Sequence, residues 1–181
     1  MDPLERHKSI AVPMTRDPAG GAPKFLLVHD RRYKEWTFVT GGCRRREVFN
    51  PLRCAIRELE EETRGIINLK KGSYSYFSFS FKDHEGVKNV YHVYIFDMPE
   101  LTPVAQGQVI KRFNEERTKM EGREVPFRKN YDENDLCEFD TLEGITGRLD
   151  LWDMIRTYVL RNPAFHDALS GPSKQQFFLR P

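Results

Sequence analysis

The sequence predicts one mixed α/β (α+β) domain built on a mixed β-sheet. Three observations lead there. Strand-like and helix-like segments follow one another without the regular alternation of a doubly wound fold. The 181 residues suit one core better than two, and 39% hydrophobic with 31% charged residues is ordinary for a globular chain. Neither an internal repeat nor a low-complexity tract breaks that reading.

The elements follow in order. Ser9 to Met14 and Lys24 to His29 read as strands, parted by a Pro- and Gly-rich turn from Asp17 to Pro23. Trp36 to Val39 reads as a third, ending at Gly41-Gly42. A helix starts at Asn50-Pro51, with Asn at the N-cap and Pro where its missing N–H is harmless. It runs to about Arg64, and Gly65 stops it. From Tyr74 to Phe81 aromatics alternate with serines, but the phase switches between Tyr76 and Phe77. A bulge there would keep the aromatics on one face. Val90 to Phe96 is apolar or aromatic on both faces, as a central strand must be. A charged helical stretch spans about Val104 to Glu121, and Leu136 to Phe139 reads as the last strand. Leu149 to Arg161 reads as the last helix, burying Leu151, Ile155, Tyr158 and Val159. The expected domain is therefore 1–161, with a charged helical insertion at about 99–132 and a patternless tail at 162–181.

Composition excludes several classes. With 29 Lys and Arg against 27 Asp and Glu, net +2, the chain is no polycation that coats nucleic acid by charge alone. The longest apolar run, Val90 to Phe96, is far below the roughly 20 residues that cross a bilayer, so no membrane partner is expected. Met1 to Lys8 is polar and charged, unlike a secretory leader. Cys43, Cys54 and Cys137 are odd in number and lack C-x-x-C spacing, so neither a disulfide partner nor a zinc ribbon is expected. A reducing, cytoplasmic compartment fits.

Charge is uneven along the chain. Between Arg31 and Arg57 basic residues outnumber Glu35 and Glu47 by six, and Glu58, Glu60, Glu61 and Glu62 follow at once. At 100° per residue, Leu52, Ala55, Ile56, Leu59 and Thr63 share the buried face of that helix. Glu58, Glu61 and Glu62, at i, i+3 and i+4, cluster on its adjoining edge. Like charges at that spacing cost a few tenths of a kcal/mol, and a hard divalent cation such as Mg²⁺ or Mn²⁺ offsets the repulsion. A solvated helix with Arg57–Glu61 and Glu60–Arg64 pairs fits the same spacing, and the residues alone leave both readings open.

The surroundings carry a resemblance. Gly41-Gly42-Cys43-Arg44-Arg45-Arg46-Glu47, then Arg57-Glu58-Leu59-Glu60-Glu61-Glu62, resembles the signature of the Nudix hydrolases. Trp36 to Gly42 is similar to that family's strand leading into the glycine pair, and Glu138-Phe139-Asp140-Thr141-Leu142 to its late acid–aromatic strand. The likeness spans roughly Ser9 to Arg161. Two departures stand out. Arg57 lies ten residues beyond Glu47 where the family has eight, and counting back eight reaches Phe49. Arg64 occupies the glycine position, with Gly65 one residue late, so a longer loop and a helix one residue longer are expected. The longer loop leaves the role of Glu47 open.

The resemblance implies an α/β/α sandwich that hydrolyses a nucleoside diphosphate linked to another group, using Mg²⁺ or Mn²⁺. It makes Glu61 and Glu62 metal ligands, completed by the backbone carbonyl of Gly41. Glu58 would bind metal or take the proton of the attacking water, with Arg57 orienting it. Glu138 would supply a late carboxylate, with Asp135 and Glu133 as fallbacks. Such chemistry matches a diphosphate bridge whose charge metals neutralise.

The insertion at 99–132 is long for a connection and net positive, carrying Lys111 and Arg112 among its cations. Arg44, Arg45 and Arg46 add a basic run beside the glycine pair. Such a surplus suits a long polyanion, and Tyr33, Trp36 or Phe38 could stack on a base. The expected substrate is capped RNA, as in the decapping enzymes of eukaryotes and large DNA viruses. The alternatives are small nucleotides, nucleotide sugars or inositol pyrophosphates, or a Nudix-fold module that binds without catalysis.

Overall fold

A computed structural model describes residues 5–171 and 175–180. The start of the segment read as lacking a leader, residues 1–4, lies outside these, as do 172–174 and 181 of the tail. Eight strands make one mixed sheet: β1 (Glu5–Thr15), β2 (Lys24–Asp30), β3 (Trp36–Thr37), β4 (Val39–Gly42), β5 (Lys71–Lys82), β6 (Lys88–Asp97), β7 (Asn134–Thr141) and β8 (Gln175–Phe178). The main path runs β3-β2-β1-β6-β5-β8, with β4 also on β1 and β7 on β2. Among the strands of the described residues only β1 and β6 pair in parallel, in continuous register from Glu5↔Lys88 to Met14↔Asp97. Helices cover both faces: α1 (Pro51–Glu62) and α2 (Pro103–Glu121) on one, α3 (Leu142–Thr146), α4 (Pro163–Leu169) and a π-helical turn at Ile155–Leu160 on the other. This is the expected α/β/α sandwich. No helix of the described residues is long and apolar enough to cross a membrane.

Alternation decides which core each side chain joins. On β1, Ile10, Val12 and Met14 enter the core under α3 and α4, whereas Ala11 faces α1. Burying one such side chain contributes about 1.5–3 kcal/mol, so a one-residue slip of β1 would forfeit several at once. β6 lies between β1 and β5 and is buried on both faces, as its sequence requires.

Most important for the site is a split beside β1. Lys8–Ala11 pair with β4, whereas Met14 and Thr15 pair with β2. The sheet therefore opens between β2 and β4, and a cleft enters there. The single strand expected at Trp36–Val39 is two short ones, interrupted at Phe38, whose ring is fully buried against Phe25 and Phe165.

Other elements also differ from expectation. β5 pairs with β6 without a bulge, so Phe77, Phe79 and Phe81 join one core and Tyr74 the other. Tyr74 and Tyr76 point to the face opposite the phenylalanines, where Tyr76 keeps 42% of its surface and stacks on His92, so the phase switch needs no extra residue. The helix expected from Leu149 starts later: Leu149 is exposed, and Leu151 bridges to Trp36. Tyr158, expected to be buried, keeps 37% of its surface. β7 is not the last strand. In the segment read as patternless, α4 buries Phe165 and β8 pairs with the edge of β5.

α1 ends at Glu62 rather than running longer. Arg64 takes the left-handed conformation (φ 57°) that the glycine position demands, and Gly65 follows at φ 79°. The Arg64 N–H donates to the carbonyl of Glu61 at 3.1 Å and the Gly65 N–H to that of Glu60 at 2.7 Å, closing a Schellman turn. The Arg64 guanidinium then reaches three carbonyls: Tyr131 (3.1 Å), Phe113 (2.8 Å) and Asn134 (2.7 Å).

Candidate active site

Ala55, Ile56 and Leu59 pin α1 to the sheet, and this turns the carboxylate edge toward β4. Arg57 organises that edge. Its Nε and Nη2 each donate to the Glu47 carboxylate at 2.8 Å, its Nη1 donates to Glu58 (2.9 Å) and Glu61 (3.1 Å), and Nη2 also reaches the Gly42 carbonyl at 3.0 Å. A bidentate fork of this kind fixes geometry as well as charge. The two extra residues before α1 are absorbed by a 3₁₀ turn at Arg45–Phe49, which returns Glu47 to Arg57. Burial opposes ionisation of Glu47, but the hydrogen bonds from Arg57 and from the Arg44 backbone hold its carboxyl below the usual range.

Glu58 and Glu62 are in the opposite condition. Burial pushes the Glu58 carboxyl up to about 7, against the pull of Arg57, with Glu61 and Glu133 adding repulsion. Burial raises Glu62 well above the ordinary range, and Glu58 and Glu133 repel it further. The Thr40 N–H donates to Glu62 Oε2 at 3.1 Å. Gly41 is required where it stands, because a Cβ there would overlap the Glu58 carboxyl group.

Glu133, one of the two expected fallbacks, adds its charge to this cluster by repelling Glu58 and Glu62. Burial raises its own carboxyl, followed by repulsion from Glu61 and Asp30. Glu138, the expected late carboxylate, accepts from Arg148 at 2.6 Å, and the same guanidinium also holds Asp140. Of the two fallbacks, Asp135 is occupied by His29 at 2.6 Å, and Glu133 alone joins the carboxylates.

Among the described residues no three Asp, Glu, His or Cys side chains converge into a ready-made metal cage. The donor chemistry nevertheless fits a hard divalent cation. Buried carboxylates that resist ionisation lie against a backbone too close for a methyl group, and such oxygens suit Mg²⁺ or Mn²⁺.

Beside the carboxylates lies a cleft of about 490 Å³, lined by Lys8, Asp30, Tyr33, Thr40, Gly41, Gly42, Glu62 and Trp152. Sequence reasoning missed Lys8 and Trp152. Lys8 sits in a strand whose next residues are all buried, and Trp152 falls inside an expected helix. Trp36, expected to bind substrate, is instead buried in the core, with the Arg148 guanidinium 4.4 Å from its ring centre and His29 at its edge. Phe38 is core as well, whereas Tyr33 is 66% exposed and in the cleft. Arg44 comes within 3.5 Å of Glu61, and Arg45 and Arg46 are exposed on the 3₁₀ turn. Lys111 and Arg112 are exposed on α2, outside the cleft lining, and Lys111 lies 3.9 Å from Glu115 one turn away. The three cysteines are free.

No curated protein sequence shows significant similarity to the chain. Solved structures do. An Ap4A hydrolase from C. elegans, in a binary complex, is 16% identical, with 91% of this chain and 98% of that one covered at a TM-score of 0.53. The NUDIX domain of Shewanella oneidensis NrtR, complexed with ADP ribose, is 13% identical over 88% of this chain and 90% of that one, at 0.55. At such identities the likeness concerns the fold. The NUDIX domain model matches residues 5–132, the stretch that holds the glycine pair, Arg57, Glu58, Glu61 and Glu62, and the chain belongs to the NUDIX domain family.

Proposed function

We propose that this chain is a metal-dependent pyrophosphohydrolase that cleaves a diphosphate linkage in a nucleoside diphosphate derivative, and that its substrate is capped RNA. The observation that carries the hydrolase reading is the pair of buried carboxylates Glu58 and Glu62, with Glu61 and the exposed Glu133 beside them, next to a cleft with a lysine and two aromatics. Glu61, Glu62 and the Gly41 carbonyl would hold Mg²⁺ or Mn²⁺, with Glu58 or Glu133 adding an oxygen. A metal held by these residues would supply charge neutralisation at the phosphates and a lowered pKa for bound water.

The chain's own residues do the rest. Glu58, with its carboxyl near 7, can accept a proton at neutral pH from water attacking the diphosphate. Arg57 holds Glu58 and Glu61 in place and is itself held by Glu47. The Thr40 N–H fixes the orientation of Glu62. Lys8 faces the diphosphate charge, and Tyr33 and Trp152 flank the group it carries.

Capped RNA follows from the exposed Arg44, Arg45 and Arg46 beside the carboxylates, which exceed what a single diphosphate needs. One observation favours a small nucleotide instead: on α2 the charges pair with each other, as Lys119 does with Glu116 at 3.2 Å, leaving less for a polyanion. A turnover panel of capped RNA, ADP-ribose, dinucleoside polyphosphates and oxidised nucleotides, each with Mg²⁺ and with Mn²⁺, separates the two. Release of the cap nucleotide from RNA, well above the rate on small nucleotides, is expected. Equal or faster turnover of a small nucleotide replaces RNA as the substrate, and no turnover with either metal ends the hydrolase reading.

A further inference from the structure

The cleft does not end at the carboxylates. Lys8 pairs in register with Gly42 on one side and Tyr91 on the other, so it stands where β4, β1 and β6 meet. Its Nζ lies 5.5 Å from the centre of the Tyr91 ring. Beyond Tyr91 the rings continue. Phe79 stacks on Tyr91 at 5.1 Å and 8°, and Phe81 at 5.7 Å and 16°. Tyr158 stacks on Phe79 at 5.3 Å and 9°, and on Phe81 at 4.8 Å and 21°.

Elsewhere in the same cores rings meet at mixed angles, Tyr94 and Phe96 at 17° and Phe38 and Phe165 at 26°. Phe25 meets Phe38 at 59°, and Tyr74 meets Phe96 at 62°. What sets this group apart is that four near-parallel rings, Tyr91, Phe79, Phe81 and Tyr158, touch in sequence, and an offset-stacked ring at its outer end can take one more flat ring. The set also reaches solvent: Phe79 and Phe81 are only partly buried, and Tyr158 keeps 37% of its surface. Arg6, exposed two residues before Lys8, places a second cation on the same face. Burial and Arg6 both disfavour the Lys8 charge, and Asp83 offsets them, so a phosphate oxygen near Nζ would relieve a strained cation.

We infer that this sheet face is a track for single-stranded RNA, in which Lys8 meets a phosphate at the mouth of the cleft and the Phe79–Phe81–Tyr158 stack receives the following bases. The track extends the capped-RNA reading and gives the RNA body a route that does not use α2. Stacking of this kind tolerates any sequence, because every base has a π-face.

The test is direct binding, independent of turnover. Fluorescence anisotropy is read with a labelled, uncapped, 5′-phosphorylated single-stranded RNA of about a dozen nucleotides, in Mg²⁺, across a salt series. Tyr158→Leu keeps an apolar cover but no ring, and should weaken binding roughly ten-fold without changing the salt slope. Tyr158→Phe should bind as wild type does. Lys8→Gln should weaken binding and lower the salt slope by about one phosphate contact. The duplex of the same RNA should bind more weakly, since its bases are already stacked. The track is overturned if Tyr158→Leu binds as wild type does, if single strand and duplex bind alike, or if the RNA does not bind. Failure of the hydrolase reading looks different: the RNA binds and responds to these variants, while no nucleotide in the turnover panel is cleaved.

Discussion

Helix α1 and helix α2 both carry dense charge, and they handle it in opposite ways. On α2 most charges face solvent and pair along the helix: Lys111 with Glu115, Lys119 with Glu116, and Arg117, which also reaches Asp132, with Glu121 at 2.7 Å. Exposed pairs of this kind contribute at most about 0.5 kcal/mol each. On α1 the apolar face drags Glu58 and Glu62 into a crevice beside β4, where burial resists their ionisation. A single guanidinium, that of Arg57, reaches both Glu58 and Glu61. Charge density along the chain is therefore a poor guide to chemistry. What separates the two helices is whether a carboxylate is allowed to reach water.

Substitutions can break that contrast, and the largest effect belongs to α1. Glu62→Gln preserves shape while removing a buried charge, so turnover should fall by roughly two to three orders of magnitude. The thermal midpoint of the metal-free protein should hold or rise, because an ill-solvated carboxylate is gone. Turnover within a few-fold of wild type would erase the distinction between the helices. A smaller loss, roughly 10–100-fold, is expected for Glu47→Gln, which loosens the fork on Arg57 rather than the carboxylates themselves. A deficit as deep as that of Glu62→Gln would make Glu47 a direct participant. Least of all, Lys111→Ala should shift stability by only about 0.3 kcal/mol in a denaturant titration. A change above about 1 kcal/mol would mean that α2 uses its charge structurally.

Much of this was legible because the signals are local. The glycine pair, the Arg57-Glu58 step and the i, i+3, i+4 carboxylates fix α1 and its neighbours within a short window, and β6 announces itself by being apolar on both faces. What failed depends on distant partners. Trp36 reads as a ring beside the glycine pair, yet Arg148, more than a hundred residues on, covers it. Glu138 lies on the expected late strand and pairs with the same arginine, which no local signal announces, while Glu133 adds its repulsion to Glu58 and Glu62. The phase switch in β5 looks like a bulge only if all of its aromatics are assumed to share one face. β8 is four residues long and draws its stability from the edge of β5, so no periodicity could betray it.

Arg64 carries a consequence for how this chain can change. Its left-handed backbone costs a non-glycine residue about 1 kcal/mol, and glycine at this position would remove that cost. The same replacement would strand the carbonyls of Phe113, Tyr131 and Asn134, each worth about 1–3 kcal/mol when left unsatisfied in the interior. A step that looks favourable at the turn is thus unfavourable for the molecule. The helix that bears the carboxylates and the insertion that follows β6 are consequently bound into one heritable unit. A graft that swaps the insertion for a shorter loop should succeed only if position 64 is reset to glycine in the same move.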